Sequence, residues 1–260
     1  MIRLTDYPLI FFIVCLLALW FSTRMGAYLH RKRLGREDAA RETSEREELG
    51  MVLGAALTLL GLIIGFSFSM AVSRYDQRKN YEEEEANAIG TEYLRASLLP
   101  AADAAKVRAL LKSYLDQRVL FYTTRDTPRV EQIDAETAKL QNDLWSAVQS
   151  AGTAQPTPVA ALAISGMNDV INSQGYTQAA WWNRIPTAAW CLMLGIAICC
   201  NLLLGYNAQS EGAKIRRFVI LPLIVAISFF MIADLDATRS GVIRVSPRNL
   251  ISLSNSLPTE

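Results

Sequence analysis

The stretch LGMVLGAALTLLGLIIGFSFSMAVS, Leu49 to Ser73, decides the fold: 25 consecutive residues without a charge. A helix needs about 20 such residues to cross a hydrocarbon core of about 30 Å, so this segment spans a membrane. Nothing downstream stops it. No proline occurs before Pro100, and Gly90 is the one glycine on the way, tolerable inside a helix. The sequence therefore predicts one helix from Leu49 to Leu98, about 75 Å long, whose second half leaves the bilayer.

Working outward, three further apolar stretches appear, near Tyr7 to Ala27, Ile185 to Tyr206 and Phe218 to Ala233. Leu9 to Phe21 has the length of a signal-peptide core. Ser22, Thr23 and Arg24 follow without a small-x-small cleavage pattern, so the segment reads as a retained helix. Pro222 is placed in the first turn of the fourth span, where its missing N–H costs little. The chain is 260 residues long, 51% apolar, with a net charge of +1. That balance gives no footprint for nucleic acid, and the spans exclude a soluble enzyme.

Between the second and third spans, Pro100, Pro128, Pro156 and Pro158 divide a polar region into segments of helical periodicity. Val107, Leu110, Leu111, Tyr114 and Leu115 form one pattern; Leu140, Leu144 and Val148 a second; Leu162, Ile164, Met167, Val170 and Ile171 a third. These predict helices at 101–122, 128–150 and 158–181. No segment alternates with period two, so no sheet is expected. The expected fold is an all-α membrane protein, with four transmembrane helices and a helical extramembrane domain between spans two and three. Its parts are 1–73 (spans one and two), 74–184 (the helical domain), 185–236 (spans three and four) and a tail, 237–260.

Span two carries a stripe of small residues, Gly54, Thr58, Gly61, Gly65, Ser69 and Ser73, at steps of three and four that share one helix face. Small residues let helices approach closely in lipid, which is one use of the stripe. The other is lining a pore, with Thr58 and Ser69 hydroxyls as polar contacts and Ile64, Phe66 or Phe68 as an apolar constriction. Arg74 and Arg78 follow at the exit of the span, where a positive ring in an oligomer attracts anions. Asp234 and Asp236 close span four; pairing with Arg74 or Arg239 makes them a structural clamp, and exposure to a water path makes them part of an ion route. Asn201, within span three, reads as an interhelical hydrogen bond. Glu82 to Glu85 point in all directions from a helix and lack the turn of a calcium loop. Cys15, Cys191, Cys199 and Cys200 all lie in apolar stretches, without metal spacing. The single histidine is His30, and no nucleophile or phosphate-loop motif is present. No catalytic residue, metal or cofactor is expected.

Two passages carry a resemblance. The first is GFSFSMA from Gly65 to Ala71, Arg74, Tyr75, Arg78, EANAIG from Glu85 to Gly90, YLR from Tyr93 to Arg95, and LLP from Leu98 to Pro100. The second is DLD from Asp234 to Asp236, RSG from Arg239 to Gly241, and IRVSP from Ile243 to Pro247. Together they resemble the bestrophin-like domain family of bacterial membrane proteins. The resemblance implies a distant relation to bestrophins, oligomeric ion channels with four spans per subunit and a helical domain between spans two and three. No stretch here matches their acidic calcium clasp.

The expected partners are the lipid bilayer of a bacterial inner membrane, further copies of the chain in a homo-oligomer, and inorganic ions. A non-conducting sensor, or an envelope scaffold whose helical domain binds a ligand or partner, is the alternative. For orientation, Arg24 to Arg46 and Lys214 to Arg217 carry ten Lys/Arg, against eight on the other side. That density puts the first and third loops in the cytoplasm and the helical domain outside. In bestrophins the helical domain and both termini are cytosolic.

Overall fold

The structure, a computed structural model, describes residues 4–33, 39–207 and 211–258. Eight α-helices occur among them, with no strand: α1 (Pro8–Arg33), α2 (Ala39–Arg95), α3 (Ala101–Thr123), α4 (Thr127–Ala154), α5 (Pro158–Trp182), α6 (Thr187–Tyr206), α7 (Glu211–Asp236) and α8 (Arg248–Ser256). Four helical runs are long and apolar enough to cross a membrane. They lie in α1, α2, the α5–α6 run and α7.

Local chemistry sets the helix ends. Asp126 accepts the Arg129 N–H (3.2 Å) and Thr157 accepts the Ala160 N–H (3.1 Å), each with proline in the first helical turn. The uninterrupted second helix is real: α2 starts ten residues before Leu49 and runs through Ser73 to Arg95, then tightens into a 3-10 turn at Ala96–Leu98. Pro222 does not sit in a first turn, because α7 begins at Glu211 and the proline falls about three turns inside it. The basic residues Arg33, Arg36, Arg41, Arg46, Lys214, Arg216 and Arg217, on which the orientation largely rests, lie outside the residues whose side chains are described.

The chain divides into two compact units. The first comprises Met1–Ser73 and Arg184–Ile243, with α1 packed on α6 and α7. Two glycines let α1 and α6 cross at close range. A Cβ on Gly26 would lie 2.0 Å from the Leu202 carbonyl oxygen, and one on Gly205 would lie 2.0 Å from that of Thr23. At the crossing, Ser22 Oγ donates to Ile198 O (2.8 Å) and Thr23 Oγ1 to Asn201 Oδ1 (3.2 Å). Asn201 thus makes the interhelical bond expected of it. Phe11, Trp190 and Phe229 stack edge to face toward the far end.

The second unit comprises Arg74–Asn183 and Arg244–Glu260, so the tail is divided between the two units. Ile89, Val107, Leu111, Leu144, Val148, Met167, Val170 and Leu250 are fully buried in its core. Each such side chain contributes about 1.5–3 kcal/mol by leaving water. Leu162, grouped with the third apolar pattern, is instead exposed. Of the adjacent tryptophans, Trp181 packs on Phe121 and Tyr122, while Trp182 points outward.

Candidate functional site

Along the apolar part of α2, the buried positions are Leu53, Leu60, Ser67 and Ala71, steps of seven and four that mark one inward face. The small-residue stripe lies on another. Gly54, Thr58, Gly61, Gly65, Ser69 and Ser73 are all exposed in the single chain. A Cβ added at Gly54, Gly61 or Gly65 meets nothing within 4 Å. Only 11% of the apolar window of α2 is buried within the chain, against 33% for α1 and 50% for α7. Lipid suffices to cover exposed Leu or Phe, but it offers glycine and hydroxyl side chains nothing.

The three bulky candidates do not form one ring. Ile64 is half-buried, four residues after Leu60 and on the inward side; Phe66 and Phe68 are exposed. At about 100° per residue, Phe66 points some 200° away from both Ile64 and Phe68. Ile64 and Phe68 therefore share a side of the helix, and Phe66 takes the opposite one.

The charged candidates separate in the same way. Arg74 is half-buried. Arg78 is 2% exposed and its Nε donates to the Ala180 carbonyl at 3.4 Å. Asp234 and Asp236 are each 1% exposed. Asp234 accepts the backbone N–H groups of Val242 (2.7 Å) and Ile243 (2.8 Å), which folds the chain back at the end of α7. A Cβ on Gly241 would stand 2.6 Å from the Asp234 carbonyl oxygen, so this fold-back depends on glycine. Asp236 accepts Arg184 Nε (2.9 Å) and the Ile185 N–H (3.1 Å), and Arg184 Nη1 lies 2.8 Å from Asp6. Arg184 is thus a partner of both Asp236 and Asp6 that no pattern in the sequence singled out. Arg239 is half-buried in the same fold-back.

The helical unit holds a polar centre on the face of α2 where helical spacing gathers Arg78, Glu82, Glu85, Glu92 and Arg95. Glu82 and Glu85 turn inward; Glu83 and Glu84 stay exposed. Glu82 accepts the N–H groups of Asn249 (2.9 Å) and Leu250 (3.0 Å) and the Asn249 side-chain amide (2.7 Å), capping the N-terminus of α8. Glu85 is fully buried and pairs with fully buried Arg118 through Nε. It also accepts Tyr122 Oη and Thr177 Oγ1, both at 3.3 Å. Burial pulls the Arg118 guanidinium toward neutrality, but Glu85 more than offsets this and its affinity for the proton rises. Burial, then the Glu85 charge, pushes the hydroxyls of Tyr114 and Tyr122 well above their ordinary range. A spacing of three between acids, one helical turn, was the signal for the inward pair. Nothing local pointed to Arg118, 33 residues away. Among the described residues, no group of three or more His, Cys, Asp or Glu is placed to hold a metal ion.

No curated protein sequence matches the chain. A bacterial bestrophin homologue from Klebsiella pneumoniae is similar in structure, with a TM-score of 0.64 and 14% identity, covering 95% of this chain and 99% of the other. A single-substitution variant of that homologue gives 0.62 at 15% identity, with coverages of 94% and 99%. A variant described only as a membrane protein gives 0.61 at 15% identity, with coverages of 95% and 98%. At such identities the likeness shows the fold. The family model for the Bestrophin-like domain matches residues 9–250, and the chain belongs to that family.

Proposed function

We propose that the protein is an oligomeric ion channel of a bacterial inner membrane, its subunits meeting along α2 with the ion path close to that axis. The observation that carries this reading is the uncovered stripe from Gly54 to Ser73, where small and hydroxyl side chains face outward with nothing of their own chain against the glycines. Burial in lipid gives such residues no return, whereas a second helix or a file of water and ions does. The family resemblance, which implies an oligomeric channel, supports the same reading. Thr58 and Ser69 supply polar contacts along the path, Phe66 or Phe68 a narrow apolar zone, and Arg74 the charge at its mouth. The helical unit is placed outside the cytoplasm on Lys/Arg density. The work done is passive transport, without a chemical step.

The test is ion flux in liposomes containing the purified full-length protein. Flux above the empty-liposome level is expected, with the ion preference of Arg74→Glu shifted toward cations and Gly65→Leu eluting as smaller assemblies. Flux at the empty level across salts, voltages and pH overturns the channel and leaves the sensor or scaffold reading. Impermeant labelling of a single cysteine at position 140 in spheroplasts reads the orientation.

A further inference from the structure

Glu92 lies on the part of α2 that belongs to the helical unit. It is fully buried, yet neither carboxyl oxygen accepts a hydrogen bond from any described residue. A buried carboxylate without donors is costly, and the usual escape is to keep its proton. The charged groups around it come from three helices. On its own helix is Arg95, and on α5 is Asp169, whose Oδ2 lies 3.8 Å from Arg95 Nη1. From α3, Arg108 is held on the Tyr93 carbonyl (3.3 Å) and over the Tyr93 ring.

Gly166 of α5 makes the space in which these groups meet. A Cβ there would stand 2.0 Å from Glu92 Oε2 and 2.5 Å from Arg95 Nη1, so the two atoms are at most about 4.5 Å apart. Since Glu92 accepts no hydrogen bond, the pair stands outside that distance, yet within reach of a small side-chain rotation. Arg95 is thus shared between an exposed acid, Asp169, and a buried one, Glu92.

We propose that Glu92 is a proton-controlled latch between α2 and α5: while its carboxyl holds a proton, Arg95 reaches past it to Asp169, and when the proton leaves to solvent, Arg95 turns onto Glu92 and releases Asp169. Burial pushes the Glu92 carboxyl up to about 8, with Arg95 pulling it down and Asp169 pushing it up. The exchange therefore falls on the alkaline side of neutrality. Because the folded chain binds this proton more tightly than the unfolded one, stability declines as pH rises from the ordinary carboxylate range to about 8 and is level above that. The latch is independent of whether α2 lines an ion path.

Infrared difference spectroscopy on the full-length protein in nanodiscs reads the proton directly. Between about pH 6 and about pH 10, the wild type is expected to lose a protonated-carboxyl C=O band with a midpoint near 8, and Glu92→Gln, which keeps the shape of the side chain, is expected to lack that band. Arg95→Gln is expected to raise the midpoint, and Asp169→Asn to lower it, each by about one pH unit. Absence of the band in wild type at about pH 6, or its persistence in Glu92→Gln, overturns the assignment of the proton to Glu92. A midpoint unmoved by Asp169→Asn overturns the sharing of Arg95.

Discussion

Replacing Gly205 by alanine tests how the membrane helices are held together. The new Cβ would sit 2.0 Å from the Thr23 carbonyl oxygen and 2.8 Å from its carbon, both backbone atoms that no rotamer change can move. Carbon contacts of this kind are not found below 3.0 Å, so α1 and α6 must part locally by about 1 Å. Two interhelical hydrogen bonds lie within a turn or two of the crossing, Thr23 to Asn201 at 3.2 Å and Ser22 to Ile198 at 2.8 Å. An added 1 Å takes both beyond hydrogen-bond distance. Each such bond contributes about 0.6–1.7 kcal/mol inside a membrane, and the separated faces lose dispersion contacts as well. The expected loss is about 2–3 kcal/mol, read by thermal unfolding of the full chain in detergent. Gly61→Ala is the control: its Cβ meets nothing within 4 Å, so the subunit's own stability should hold while the assembly changes. Gly205→Ala unfolding within about 0.5 kcal/mol of wild type refutes the argument from close backbone approach.

Arg118→Ala leaves the Glu85 carboxylate buried without its guanidinium and is expected to cost about 3–5 kcal/mol by denaturant unfolding of the full chain. The double replacement Arg118→Met with Glu85→Leu should recover much of that loss, because it removes both buried charges. Glu82→Ala removes the acceptor for two N–H groups at the start of α8, about 1–2 kcal/mol of local stability. Limited proteolysis should then cut within Arg248–Ser256 while the rest of the helical unit stays resistant.

The elements of this protein were legible in the chain because their determinants are local. Charge-free length marks the spans, and a helix goes on until proline or an unfavourable residue stops it. That is why α2 could be followed from Leu49 into the helical unit, and why the helices between Pro100 and Trp182 have ends close to those expected. Asn201 was legible for a similar reason, since a lone amide in an apolar span needs a partner on another helix.

What the sequence could not supply was the identity of partners, since a contact between distant residues leaves no periodic trace. The stripe on α2 announced close packing, yet within the chain the close crossing is made by Gly26 and Gly205. Ser22 and Gly26, and Asn201 and Gly205, are each one helical step of four apart, a shorter version of the same pattern in two other spans. Helical spacing put Glu82 and Glu85 on one face of α2, but only packing gave them partners, one at the start of α8 and the other in Arg118. Asp236 also takes Arg184, which lies in the short link between α5 and α6 and which no pattern in the sequence tied to it. Period and breakers act over one or two turns and so fix the helices and their spans from the sequence. Which face is covered, which acid keeps its proton and which glycine is indispensable depend on atoms brought together across tens or hundreds of residues, and only the tertiary structure decides them.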